Sequence, residues 1–152
     1  MQLPILKDAK VFGKRVFLRA DLDVPIKSQK SKVKSQKLIE DDTRLVASLP
    51  IVEYLLKNGA KVIIAGHLGR PKLNHESRIM NQEFSLLPVA QWLSKKLNIK
   101  YQKSKIGNLE GWKMGNRIFL LENLRFYEGE ENPTTGSGLD YSKKIATLEY
   151  LY

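Results

Sequence analysis

Three short, unbroken apolar runs constrain the fold of this chain more than any other feature of its sequence. They occupy residues 16–18, 62–65 and 118–121. None of them alternates apolar with polar residues, and all are rich in residue types that favour strands. Unbroken runs of this kind are typical of strands covered on both faces, as in a parallel sheet. Residues 99–101 are a weaker fourth strand candidate.

Amphipathic helical patterns separate these runs. The first begins near Asp42, with capping residue types at positions 41–43, and ends at the stop signal Asn58-Gly59. Pro50 lies inside this pattern, so we expect a kink or an interruption there. The second pattern begins after Ser85, a capping residue, and ends near Asn98. A third and least regular helix is predicted over residues 139–149.

Strands that alternate with helices predict an α/β fold. We expect a three-layer, Rossmann-like arrangement: a mostly parallel sheet flanked by helices and incomplete at its C-terminal end. Two loops are expected to be expanded. The first, residues 26–38, is rich in lysine, and the second, residues 132–138, reads as a polar connector.

The composition narrows the class of partner. Lys and Arg number 26 against 16 Asp and Glu, which gives a net charge of +10 and favours anionic partners. The chain has no cysteine, so disulfides and thiol chemistry are excluded. With only two histidines, His67 and His75, we expect no structural zinc site. No apolar run approaches the roughly 18 residues of a membrane span, and no signal-peptide layout is visible, so we expect a soluble intracellular protein.

Polar and charged side chains follow each of the three apolar runs. Residues 19–25 follow the first run, residues 66–71 the second and residues 122–126 the third. The carboxyl ends of parallel strands meet at one edge of a sheet, where ligands bind in open α/β folds, so we expect these segments to lie together. Arg44 joins them from the start of the first predicted helix. The candidate site residues are Asp21, Asp23, Arg44, His67, Arg70 and Arg125.

These residue types suit a small ligand that bears phosphate, carboxylate and hydroxyl groups. Arginine forms bidentate bonds with phosphate and carboxylate, and histidine can donate to either. The two aspartates would repel a phosphate but can accept from a hydroxyl. Taken singly, an arginine after a strand is usually a solvated surface charge, and a histidine in a glycine-rich turn is more often structural than functional. Asp23 also suits a turn. Their coincidence in three loops is what favours an anion site.

The lysine-rich segment raises the alternative of nucleic-acid binding. It has no interleaved aromatic residues for base stacking, so a solvated loop is the favoured interpretation. Neither a P-loop nor a GxGxxG motif occurs in the chain, which leaves no recognisable cradle for nucleotide phosphates.

Five segments, in order, resemble the N-terminal domain of the phosphoglycerate kinase family. They are RADLDVP at 19–25, DDTR at 41–44, GHLGRPK at 66–72, SLLPVA at 85–90 and LENLRF at 121–126. The resemblance implies transfer of a phosphoryl group between 1,3-bisphosphoglycerate and ADP, giving 3-phosphoglycerate and ATP. It also implies that a C-terminal domain holds Mg-ATP or Mg-ADP and that hinge closure brings the two domains together. We therefore expect no cofactor bound to this chain itself.

The resemblance also implies a role for each candidate residue. Arg44 would reach the transferring phosphoryl group and stabilise its charge, which makes it the expected catalytic residue. The expected substrate contacts are Asp21 and Asp23 to the glycerate hydroxyl region, and His67, Arg70 and Arg125 to its phosphate.

The chain departs from the family pattern in three ways. Asp23 stands where the family usually has Asn, and Gly66 stands where Ser or Thr is common. The sequence also stops before the family's next strand, so we expect residues 1–152 to be a partial substrate domain without the nucleotide domain, inactive alone. We expect a cytoplasmic monomer with no nucleic-acid or membrane partner. Two alternatives stay open: a stand-alone module that binds a phosphorylated acid, and a basic nucleic-acid-binding protein.

Overall fold

The fold is taken from a computed structural model, which describes residues 5–30, 35–71, 82–127 and residue 143. Two α-helices and seven strands lie within these ranges, with short 3-10 turns at Leu6–Asp8, Gln82–Phe84 and Leu124–Phe126. The helices are α1 (Thr43–Lys57) and α2 (Leu87–Leu97). The strands are β1 (Arg15–Arg19), β2 (Ile26–Lys30), β3 (Ser35–Ile39), β4 (Lys61–Ala65), β5 (Tyr101–Ile106), β6 (Leu109–Met114) and β7 (Ile118–Leu121).

The predicted fold class is confirmed, because the chain is α/β with parallel strands at the heart of a sheet flanked by helices. Five strands form this sheet in the order β1-β4-β7-β6-β5. β1, β4 and β7 are mutually parallel, with Val16 opposite Val62 and Val62 opposite Ile118. The three apolar runs of the sequence have thus become three adjacent strands. β6 and β5 extend the sheet in antiparallel pairing.

Strand β4 shows why the apolar runs do not alternate. Val62 and Ile64 pack into the larger hydrophobic cluster, which also contains residues of α1 and α2. Ile63 and Ala65 point to the other face and join a second cluster with Leu121 and Leu124. Because both faces of the strand are buried, every position after Lys61 has to be apolar.

The sequence predicted a kink or an interruption at Pro50. Helix α1 continues through Pro50, so an interruption does not occur. Pro50 cannot donate to the carbonyl of Val46, four residues earlier. Both residues are exposed, so water can satisfy that carbonyl. At the end of the helix, Arg117 donates to the carbonyl of Leu56 at 2.7 Å. A cation on the last carbonyls of a helix also complements its dipole.

Helix α2 ends at Asn98 as predicted, but it begins one residue later than predicted, because Leu86 and not Ser85 is its N-cap. Ser85 Oγ accepts a hydrogen bond from the backbone N–H of Leu87 at 3.2 Å, which satisfies one of the free donors of the first turn. Asn98 ends the helix in the left-handed region, with φ 52°. The two helices are tied to each other, because Trp92 Nε1 of α2 donates to Asp42 Oδ2, just before α1, at 2.8 Å.

The prediction of an expanded loop over residues 26–38 is wrong. β2 and β3 form an antiparallel hairpin, with Ile26 opposite Ile39. Both isoleucines are half-buried against the larger cluster, which supplies the apolar anchor for the pairing. The polar residues between them concealed this anchor in the sequence.

A second hairpin, β5–β6, was also missed. Of the weak candidate at 99–101, only Tyr101 belongs to a strand. Ile106 pairs with Leu109, so Gly107 and Asn108 form a two-residue turn, in which Gly107 has φ +57°. Glycine and asparagine are the residues that such turns favour, and this was the overlooked signal.

Two predicted segments lie outside the described residues. They are the connector at 132–138 and the third helix at 139–149, of which only Lys143 is described, in helical conformation. Within the described part of the chain, no helix has both the length and the apolar character needed to cross a membrane.

Candidate anion-binding site

The segments that follow β1, β4 and β7 meet at one edge of the sheet, as expected. The backbone N–H of Ala20 donates to Ala65 O at 2.8 Å, which joins the first segment to the end of β4. The N–H of Leu124 donates to Gly66 O at 3.0 Å, which joins the third segment to the second. Backbone hydrogen bonds therefore hold all three segments together before any side chain is considered.

Asp21 and Arg44 form the outer part of the site. Arg44 is the second residue of α1, and its Nη1 lies 3.2 Å from both carboxylate oxygens of Asp21. The Arg44 side chain is 54% exposed, so solvent screens this pair and the guanidinium remains open to a ligand. Asp21 Oδ1 also accepts from the N–H of Asp23 at 3.2 Å, an Asx-type turn that fixes the backbone after β1.

Asp23 connects the first segment to the second. Its Oδ1 accepts from the N–H of Gly69 at 2.8 Å, and its Oδ2 lies 3.9 Å from His67 Nε2. The carboxylate thus supports the turn that carries His67 and places negative charge beside that imidazole. An asparagine, the usual family residue, could accept the same bond from Gly69 without the charge.

Arg125 connects the third segment to the second. Its Nη1 donates to Gly69 O at 2.6 Å, and the side chain is partly buried. Arg70, which follows Gly69, has an exposed side chain that makes no hydrogen bond or ion pair with the described residues.

The structure therefore brings the predicted residues together, five of them through contacts around Asp21, Asp23 and Gly69 and the sixth by its place in the chain. Three guanidinium groups and one imidazole face two carboxylates. The three guanidinium groups and two carboxylates by themselves give this set of residues a net charge of +1.

Gly66 allows β1 and β4 to end close together. A Cβ built on Gly66 would lie 2.6 Å from Ala20 O and 2.7 Å from a Leu22 side-chain carbon. A side chain here would push apart the two segments that carry Asp21 and His67. The local packing therefore favours glycine over the Ser or Thr that is common at this position in the family.

Two buried polar residues beneath the site were given no role by the sequence reasoning. Glu122 is 5% exposed, and its Oε1 accepts from the N–H of Leu86 at 2.8 Å while its Oε2 accepts from Ser85 Oγ at 2.9 Å. Burial raises the pKa of Glu122, and the hydrogen bonds that it accepts from Leu86, Asn123 and Ser85 oppose that rise.

Asn123 is the second of these residues and is fully buried. Its Nδ2 donates to Leu68 O at 2.7 Å and to Phe84 O at 2.8 Å, and its Oδ1 accepts from the N–H of Arg125 at 3.1 Å. The sequence feature that could have indicated a role for Glu122 and Asn123 is that both are polar and directly follow a buried strand. Polar groups in such positions are kept only where they find partners.

These features define a class: an α/β protein with Arg and His side chains gathered at the carboxyl ends of its parallel strands. Residues 6–152 match the family model described as phosphoglycerate kinase. The chain belongs to the phosphoglycerate kinase family.

Curated relatives and solved structures agree with this assignment. The chain is 38% identical to phosphoglycerate kinase 1, chloroplastic, of Arabidopsis thaliana, covering 97% of this chain and 28% of that protein. It is 39% identical to the cytosolic phosphoglycerate kinase of Triticum aestivum, covering 97% and 34%. The phosphoglycerate kinase structure from Coxiella burnetii superposes with a TM-score of 0.68 at 33% identity, covering 93% of this chain and 32% of that one.

A second solved structure, the phosphoglycerate kinase from Pyrococcus horikoshii OT3, has a TM-score of 0.64 at 30% identity and covers 95% of this chain and 34% of that one. The chain thus spans about a third of the length of the relatives that it matches.

Proposed function

We propose that residues 1–152 are the glycerate-binding part of a phosphoglycerate kinase and that the edge described above binds 3-phosphoglycerate or 1,3-bisphosphoglycerate. The observation that supports this most is the meeting of Arg44, His67, Arg70 and Arg125 at the end of three parallel strands. Family membership supplies the identity of the ligand, and the geometry supplies groups of the right charge to hold it.

In this proposal the partly buried Arg125 and the exposed Arg70 bind the terminal phosphate together with His67. Arg125 is already oriented by its bond to Gly69 O, so little rotamer entropy is lost when a phosphate binds to it. Asp21 accepts from the glycerate hydroxyl. The side chain of Asp23 is already engaged with Gly69, so its contribution to the ligand is through the turn that it supports.

Arg44 is the proposed catalytic residue. Phosphoryl transfer moves the phosphoryl group from the acyl phosphate of 1,3-bisphosphoglycerate to a terminal oxygen of ADP and leaves a carboxylate. The charge developing on the transferring oxygens has to be stabilised by fixed cations. Arg44 stands at the N-terminus of α1, where the helix dipole adds to its charge, and Asp21 holds it there.

The magnesium nucleotide belongs, in this proposal, to a separate domain of the family's enzymes. Among the described residues, no group of three or more His, Cys, Asp or Glu side chains is placed to hold a metal ion. No nucleotide contact is assigned to this part of the chain. By itself, the 152-residue polypeptide should therefore bind the glycerate but not turn it over with ATP.

The cellular location and the oligomeric state of the protein are also proposals. A cytosolic location and a monomeric state are the sequence predictions. The relatives include both chloroplastic and cytosolic enzymes.

The proposal is tested by titrating 3-phosphoglycerate into the isotope-labelled chain and following backbone amide shifts. Saturable shifts should cluster at Arg44, His67 and Arg125. Arg44→Ala and Arg70→Ala should each weaken binding about tenfold or more, as expected for a lost charge-assisted hydrogen bond. Lys113→Ala, a change at an exposed position of β6, is the matched control and should bind like wild type.

Two outcomes would count against the proposal. A folded chain that shows no response to 3-phosphoglycerate would remove the glycerate site. Binding of single-stranded RNA with a steep salt dependence, unaffected by Arg70→Ala, would instead favour the nucleic-acid alternative.

A further inference from the structure

Asn123 joins three parts of the molecule, although no solvent reaches it. Its amide nitrogen holds the carbonyls of Leu68 and Phe84, and its oxygen holds the backbone N–H of Arg125. Leu68 lies directly between His67 and Gly69. Two of the three bonded groups therefore belong to the turn that carries two proposed phosphate ligands and to the residue that supplies the third. The remaining group, Phe84 O, lies in the 3-10 turn before α2.

We propose that Asn123 is a positioning residue of the anion site: it fixes residues 67–70 and Arg125 in the one arrangement that binds a phosphate. This inference rests on the proposed function, since it concerns the same ligand. Asn123 itself is buried and touches no ligand. It acts through the backbone of Leu68 and the backbone of Arg125.

An amide side chain meets the hydrogen-bonding requirements of this position. The side chain has to donate two hydrogen bonds and accept one within a short reach, and asparagine does so with three bonds of 2.7–3.1 Å. An aspartate of the same shape, when ionised, would turn an oxygen toward the carbonyls of Leu68 and Phe84. In a buried place such a contact is repulsive and leaves both carbonyls without a donor.

Small displacements matter at such a site. Arg125 reaches Gly69 O, so its guanidinium and the turn already move as one unit. Asn123 links that unit to the end of β7. A shift of about 1 Å in groups that orient a ligand can cost two orders of magnitude in function.

Glu122 offers a matched comparison, because it is the adjacent residue and almost equally buried. Its side chain bonds to Leu86 and Ser85, at the start of α2, and to the N–H of Asn123. It makes no bond to residues 67–70 or to Arg125. Glu122→Gln keeps an oxygen for both N–H donors, so it alters the buried charge without touching the turn.

The test compares the affinity for 3-phosphoglycerate with the stability of the same variants. Asn123→Asp should raise the Kd about tenfold or more, because the turn and Arg125 lose their common anchor. Glu122→Gln should change it less than about twofold. Val52→Ala, a change at a buried position of α1, should lower the melting temperature while leaving the Kd within about twofold. If Asn123 had only a structural role, its variant would lose no more affinity than an equally destabilised Val52→Ala chain. A larger loss therefore supports the positioning role.

A measurement on the unaltered chain covers the case in which Asn123→Asp does not fold. Saturating 3-phosphoglycerate should slow hydrogen exchange at the Asn123 side-chain amide, because a bound phosphate holds its partners in place. Unchanged exchange on saturation, or a folded Asn123→Asp chain with wild-type affinity, would overturn the positioning role. If the unaltered chain does not bind 3-phosphoglycerate at all, the proposed function itself fails, and this result is distinct from the other two.

Discussion

The two halves of the central sheet are built from similar strands but end differently. In the parallel half, β1, β4 and β7 send their carboxyl ends to one edge, where all the strand-end residues of the proposed site are found. In the antiparallel half, β5 and β6 are joined by a turn of only two residues, Gly107 and Asn108. None of the six proposed site residues lies in this second half.

The difference follows from how the strands are connected. Parallel neighbours need long crossover connections, so each strand can end in a segment with its own polar residues. Hairpins return at once and alternate the edge at which strands end. The parallel half therefore assembles groups from distant parts of the sequence, and the antiparallel half mainly extends and covers the core.

The largest expected effect comes from the shared core of the two halves. Leu120 of β7 is fully buried, and its neighbours are β4 on one side and β6 on the other. Leu120→Ala should lower the free energy of unfolding by about 3 kcal/mol, through lost burial and a residual cavity. Urea denaturation followed by circular dichroism measures this, with the exposed Lys113→Ala as control. A change below about 1 kcal/mol would mean that the halves do not share one core.

Two glycines sharpen the comparison directly. Gly66→Ala in the parallel half meets backbone at 2.6 Å and should cost about 2 kcal/mol, with weaker binding of 3-phosphoglycerate. Gly107→Ala in the antiparallel half meets nothing within 4 Å and pays only for its positive φ, about 1 kcal/mol. Its affinity for the ligand should be unchanged. Equal losses of affinity in the two variants would contradict the assignment of the site to the parallel half.

A pH-dependent effect isolates the end of β7. Burial raises the pKa of Glu122 above its ordinary value of 4.5, so the folded chain binds this proton more tightly than the unfolded chain. The resulting stabilisation is fully present below pH 4.5 and is lost as the pH rises through the raised pKa. Relative to Glu122→Gln, the unaltered chain should therefore lose stability from pH 4.5 upward. Parallel pH profiles of the two would contradict the buried state of this carboxylate.

The smallest expected effect concerns Asp23. Asp23→Asn keeps an acceptor for the N–H of Gly69 and removes one negative charge from the phosphate edge. Affinity for 3-phosphoglycerate should rise about threefold, since the 39% exposed side chain acts through a partly screened field. Calorimetric titration at two salt concentrations measures the gain, which should shrink at the higher one. Weaker binding would show that the carboxylate itself holds the ligand.

The sequence predicted the parallel half well because its signal is local. Each apolar run, such as residues 62–65, corresponds to one strand, and the rule that strand ends meet at one edge then brings together the segments that carry Asp21, His67 and Arg125. The β2–β3 hairpin was missed because its pairing depends on Ile26 finding Ile39 across a polar stretch, which no periodicity reveals. The partners of Asn123 lie 39 and 55 positions away, and such contacts exist only once the chain has folded.

The hydrogen bond from Trp92 to Asp42 gives the molecule an optical reporter. Asp42 immediately precedes α1, and Arg44 lies two residues further along, so the indole ring is coupled to the turn that presents the proposed catalytic guanidinium. Trp92 is only partly buried, and its emission responds to the charge beside its N–H. Trp112, the other tryptophan, is buried in β6 on the far side of the sheet from β1 and supplies a steady background. A ligand that moves the start of α1 should therefore change the fluorescence of Trp92.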